Sequence, residues 1–115
     1  METLNARIVG SKLGFNEHGI FDFCLVLEIQ NGGGVSLGGY AMDQYNEELK
    51  KRVGTEYGMN LIMRILEVVG VNTWEELCGK YIRIKDAKIG DRVTAIGNLM
   101  KDEWVDFDTF GKEEE

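Results

Sequence analysis

A chain of 115 residues with 43% apolar side chains is long enough to form one domain around its own core, without metal or disulfide staples. Its formal net charge of −7 is unevenly spread: from Asp102 onward seven acids face Lys112 alone, which leaves 13 acids and 12 bases in residues 1–101. The acidity thus belongs to the C-terminal end, and the chain divides into a near-neutral domain over 1–101 and an acidic, aromatic tail over 102–115.

The first strand is expected over residues 3–14, where Leu4, Ala6 and Ile8 share one side and Arg7 the other. Asn16, Glu17, His18 and Gly19 supply a turn. Residues 20–30 then carry the strongest pattern in the chain. Phe21, Phe23, Leu25, Leu27 and Ile29 recur at period two, so that face packs on the core. Asn31 to Gly34 close a second hairpin into a third strand, residues 35–42, where Gly38 and Gly39 predict a bulge or the close approach of another backbone. Residues 43–54 are polar and fit either a short helical turn or a connection.

A helix is expected after Thr55, its N-cap, and before Gly70, its C-terminal stop. Nine of the residues from Tyr57 to Val69 are apolar, which predicts a helix buried on most sides or shared with a second copy in a twofold dimer. Thr73 and Glu76 have the spacing of a capping box for a further helical turn. Residues 80–88 form a fourth strand with Tyr81, Arg83 and Lys85 on one face. Gly90 and Asp91 turn it into a fifth strand over residues 92–100. The expected fold is α+β, an antiparallel sheet of about five strands (β-β-β-α-β-β), curled or OB-like, around one central buried helix.

Several chemistries are disfavoured. His18 stands alone in a turn, and Cys24 and Cys78 lack the close spacing of zinc ligands. The glycine clusters match neither a P-loop nor a dinucleotide fingerprint, because they join strands and lack the P-loop lysine. Asp22 and Glu28 lie six residues apart on one strand face, roughly 20 Å, too far to act as a catalytic pair. The expectation is no enzyme, no catalytic residue, no cofactor and no metal. No apolar run approaches the ~18 residues of a membrane helix, and the N-terminus lacks the apolar core of a signal peptide. Two cysteines without a secretory signal read as reduced thiols.

Two features point to binding. Tyr81 among Arg83 and Lys85, with Arg7, Lys80, Lys88 and Arg92 as candidates to join them, is the mixture that stacks bases and contacts phosphates. The tail interleaves Trp104, Phe107 and Phe110 with acids, as the tails of single-strand-binding proteins do. The candidate binding residues are Gly38, Gly39, Tyr40, Tyr81, Arg83, Lys85 and Trp104.

The pattern of His18-Gly19, Gly38 to Asp43, Gly70-Val71 with Trp74-Glu75, Leu77 with Gly79 to Arg83, Ile96-Gly97 and Lys101-Asp102 with Trp104 resembles a family of small phage and prophage proteins. The resemblance runs from about residue 7 to residue 105 and transfers no catalytic assignment. It implies a phage or prophage origin and a cytoplasmic location in the bacterial host. The expected function is a non-enzymatic accessory protein that inhibits host defence by binding a host protein or sequestering a nucleotide. The alternative is an OB-like single-stranded nucleic-acid-binding protein of phage replication.

Overall fold

The computed structural model describes residues 3–30, 32–85 and 93–111. The alternation of the N-terminal half becomes a meander in which β1 (Thr3–Phe15), β2 (Phe21–Ile29) and β3 (Gly34–Gly38) pair antiparallel in chain order. Ala6 and Ile8 of β1, Phe23, Leu25 and Leu27 of β2, and Leu37 of β3 are buried. That is the inward set which a period of two dictates. Between Ile8 and Gly10 the register of β1 against β2 slips by one residue. The extra residue, Val9, is a bulge, and a bulge sharpens the twist of its strand. Ahead of it, β1 is paired on both sides: Arg7 lies opposite Glu28 of β2 and opposite Tyr81 of the next sheet strand.

The polar stretch after β3 is a small hairpin of its own, β4 (Asp43–Asn46) and β5 (Lys51–Gly54), forming a separate two-stranded sheet. Lys50 takes a left-handed φ of 56° in its turn, and Asn46 Oδ1 accepts the Leu49 N–H at 2.8 Å. A two-stranded ribbon is marginal alone, and this one is tied down by charge. The Arg52 guanidinium donates two hydrogen bonds to the buried Asp43 carboxylate, each 2.9 Å. That pairing, together with backbone N–H groups, holds the Asp43 carboxyl below its ordinary pKa of 3.8 against the opposing effect of burial.

The helix α1 (Glu56–Val69) begins where Thr55 Oγ1 accepts the Gly58 N–H at 2.9 Å. It stops at Gly70, which is left-handed and donates its N–H to Leu66 O. Its buried residues are Gly58, Leu61, Ile65 and Val68, spaced by three and four, a single stripe. Met59 and Met63 are 60% and 52% exposed. The expectation of a helix buried on most sides is therefore corrected. Its apolar surplus consists largely of flexible and half-buried side chains at the margin of the stripe. Gly58 is the point of closest approach, since any Cβ there would run into the Met42 backbone. Past Gly70 the capping box forms as its spacing requires: Glu76 Oε1 accepts the N–H groups of Asn72 and Thr73 at 2.9 and 3.0 Å. A 3₁₀ turn, Trp74–Glu76, follows.

The strands β6 (Tyr81–Lys85), β7 (Ala95–Gly97) and β8 (Trp104–Asp106) complete the large sheet, whose order is β3-β2-β1-β6-β7-β8 with every neighbour antiparallel. The α+β class and the curled antiparallel sheet stand, with six strands in that sheet where about five were expected. The turn expected at Gly90-Asp91 lies outside the described residues, and β7 is shorter than the strand expected over 92–100. The sixth strand comes from the acidic end of the chain. Val105 and Phe107 are buried, so sheet and core run past residue 101. The sheet curls into a half-barrel whose edge strands approach at an aromatic seam. Tyr40, just beyond β3, lies 5.4 Å from the Phe107 ring beyond β8, and Phe23 of β2 lies 5.5 Å from the same ring.

Candidate binding surface

Alternation along β6 sends Ile82 and Ile84 into the core and Tyr81, Arg83 and Lys85 to the outer face. The pairing of β6 with β7, and of β7 with β8, sets Arg83 opposite Gly97 and Gly97 opposite Trp104. Trp104 lies flat over Gly97, where the first atom of any side chain would overlap the indole. The ring is thereby held against β7 with its π-face beside two cations. The Arg83 guanidinium carbon stands 5.1 Å and the Lys85 Nζ 5.6 Å from its centroid, within the range of cation–π attraction.

The two cations are not equivalent. Arg83 Nε donates to Asn98 O and Arg83 Nη2 to Lys101 O, both at 2.7 Å. Asn98 Nδ2 donates to Val68 O in the last turn of α1, and Asn98 Oδ1 accepts the N–H groups of Met100 and Lys101, each at 2.8 Å. Arg83 therefore latches the β7–β8 turn to the sheet, and its charge is largely spent on carbonyl oxygens. Lys85 is exposed and keeps its charge available at the surface.

Tyr81 is 57% exposed and stands opposite Arg7 of β1. Together with Asn5, Glu28 and Gln30 they border an open depression of about 300 Å³. Gln30 Oε1 accepts the Asn5 N–H within this group. By strand rise and spacing, the Cα atoms of Tyr81 and Trp104 are roughly 12 Å apart, with Arg83 between them. The outer face thus offers two aromatic rings and the cations Arg7 and Lys85, interrupted by carboxylates that include Glu28 of β2 and Asp106 of β8.

Of the residues expected to bind, Tyr81, Arg83, Lys85 and Trp104 are brought together, and Arg7 joins them. Gly38, Gly39 and Tyr40 are not part of this group. Gly38 presses on the Phe23 carbonyl so closely that no Cβ would fit, and Gly39 takes a φ of 87°. This turns the Tyr40 ring inward, nearly parallel to Phe23 and Phe107 at 6.2 and 5.4 Å, with its hydroxyl 3.4 Å from Asp108 Oδ1. Tyr40 packs on the core from the face opposite to Tyr81. Lys88 and Arg92 lie outside the described residues. The latching role of Asn98 has no signature in the sequence, where an Asn three residues before a Lys carries no distinguishing signal.

Among the described residues, no group of three or more His, Cys, Asp and Glu side chains is placed to hold a metal ion. No helix among them is long and apolar enough to cross a membrane. No protein-family model, no curated protein and no solved structure matches this chain.

Proposed function

We propose that this protein is a non-enzymatic binding protein that engages its partner through the outer face formed by Tyr81, Arg83, Lys85 and Trp104, extended by Arg7. The observation that carries the reading is the exposed Tyr81 and Lys85 on a strand whose Arg83 is latched to the next turn. Such a surface is rigid before binding, so little ordering cost falls on the complex. The setting implied by the resemblance to phage and prophage proteins is the cytoplasm of a bacterial host. There the protein acts as an accessory inhibitor of host defence, and this surface captures a host protein or a nucleotide.

One observation favours a second reading, OB-like binding of single-stranded nucleic acid. The order β3-β2-β1-β6-β7, with the helix between β3 and β6, follows an OB barrel opened at the seam after its third strand. Against it, β2 and β3 carry no Lys or Arg, and the outward positions of β2 include Asp22 and Glu28. An oligonucleotide would have to run over β6 to β8, away from the usual OB face.

Tryptophan fluorescence separates the readings, measured in a Trp74→Phe background so that Trp104 is the reporter. Saturable quenching by a mononucleotide, reduced by Tyr81→Ala, supports capture of a nucleotide. Affinity that grows with oligonucleotide length and falls steeply with salt supports the second reading. If neither ligand quenches and tagged protein recovers no host protein that Lys85→Glu releases, the surface is not a binding site.

A further inference from the structure

The large sheet ends in β3 on one side and in β8 on the other. Among the described residues, strand β3 is bonded to β2 alone. The backbone bonds that flank it, Ile29 N–H to Gly33 O at 2.7 Å and Gly39 N–H to Phe23 O at 3.4 Å, fall on odd-numbered residues of this segment. An antiparallel ladder alternates between residues that bond to the neighbouring strand and residues that turn away. Gly34 and Ser36 therefore direct their N–H and C=O groups out of the sheet, and both residues are exposed.

Sheet edges are ordinarily blunted by a lysine, a proline, a bulge or a covering element. From Gly32 to Tyr40 the chain has no Lys, Arg, Asp, Glu or Pro, and the register from Cys24–Gly38 to Glu28–Gly34 runs without a slip. Glycine at 34 and 38 also leaves the backbone on either side of Ser36 unshielded. Among the described residues, the seam toward β8 is crossed by the Tyr40 and Phe107 rings and not by ladder bonds.

We propose that β3 pairs with β3 of a second copy of this chain, antiparallel about a twofold axis at Ser36. In that register Ser36 faces the partner's Ser36, Gly34 faces the partner's Gly38, and Val35 faces the partner's Leu37. The residues whose polar groups point outward then meet one another across the axis, which is the condition for ladder bonds. Val35 and Leu37 both contribute to the core side of the sheet, so apolar meets apolar there. A second copy fits better than an unrelated charged segment. The strand is self-complementary in length and register, and it offers a charged peptide no countercharge. The nearest carboxylates on the outer side, Asp22 and Glu28, lie on β2, one strand further from the axis.

A contact along five residues is small beside the interfaces of permanent dimers, so the pairing should depend on concentration. Sedimentation velocity from micromolar to millimolar protein is expected to show the mass rising from 13.0 kDa toward twice that value. Ser36→Pro removes the N–H at the axis while leaving the bonds to β2, and edge positions tolerate proline. Ser36→Lys sets two cations against each other across the axis. Both variants should remain at 13.0 kDa throughout with an unchanged circular dichroism spectrum. Wild-type protein that stays monomeric at millimolar concentration overturns the proposal and leaves the edge to a strand of some other chain. Dimerisation that survives both Ser36 variants and is lost in Met63→Glu overturns it equally, and moves the interface to α1.

Discussion

Trp104 and Phe107 stand three residues apart on the last stretch of the fold, and they land on opposite faces of the same sheet. Phe107 turns inward, is fully buried, and meets Phe23 and Tyr40 at the seam where the curled sheet nearly closes. Trp104 turns outward, lies on Gly97, and shares its ring with Arg83 and Lys85. Both clusters are aromatic, and both bring together distant segments of chain. The inner one closes a half-barrel that its backbone leaves unbonded, so its rings act as structural cement. The outer one rests on a sheet already complete beneath it, so its exposed groups are free to be used for something else.

This difference predicts a ranking of substitutions, and the largest effect belongs at the seam. Phe107→Ala removes a ring with no exposed surface from between β2 and the segment after β3, leaving a cavity that neighbouring rings fill only in part. The expected cost is about 3–5 kcal/mol, read as a lowered midpoint in urea. Trp104→Ala, although it deletes the larger side chain, should cost less, because the indole is only half-buried. An equal or reversed order would mean that Trp104 closes the fold and Phe107 does not.

The charged contacts divide in the same way. Arg52 and Asp43 form the one ion pair with a buried carboxylate among the described residues, whereas Arg64 and Glu67 pair at 3.3 Å on the exposed side of α1. Asp43 has a pKa held below 3.8, chiefly by the Arg52 hydrogen bonds. A carboxyl whose pKa is lower in the folded than in the unfolded state stabilises the fold above its unfolded value, and that stabilisation is lost as pH falls through the folded value. Asp43→Asn should therefore cost about 1–3 kcal/mol at neutral pH, with the gap to wild type closing below pH 3.8. Denaturant titrations at pH 7 and pH 3 measure both terms. A gap that persists unchanged in acid would show that the lost charge is not what matters at this position.

What could be read from the sequence was local, and what escaped it was set by distant pairing. The β2 alternation, the Thr55 and Gly70 ends of α1 and the Thr73–Glu76 capping box all depend on residues within a few positions of each other. The β4–β5 hairpin has no apolar alternation. It is held by an Arg and an Asp nine residues apart, so nothing in residues 43–54 announced it. Strand β8 is three residues long inside an acid-rich run, and only its partners on β7 make it a strand. The outer face followed the same division. Period two alone put Tyr81, Arg83 and Lys85 together, whereas Trp104 joins them through two strand pairings. The Gly38-Gly39-Tyr40 segment lies apart from that group: Gly39 takes a positive φ, and the Tyr40 ring packs on Phe23 and Phe107.

The smallest stability effect should accompany the largest functional one. Tyr81→Ala and Lys85→Ala remove exposed side chains whose loss opens no cavity and breaks no hydrogen bond that holds the sheet. Each should shift unfolding by no more than about 0.5 kcal/mol. Their partner Arg83 is different, since its guanidinium closes the β7–β8 turn, and Arg83→Ala should both destabilise the fold and loosen Trp104. The informative measurement pairs melting temperature with partner or nucleotide affinity for all three variants. If Tyr81→Ala and Lys85→Ala lose affinity at unchanged melting temperature while Arg83→Ala loses both, the outer face is a binding surface mounted on a structural latch. If all three lose stability together and affinity follows in proportion, the outer cluster is cement like the inner one, and the contrast between the two faces dissolves.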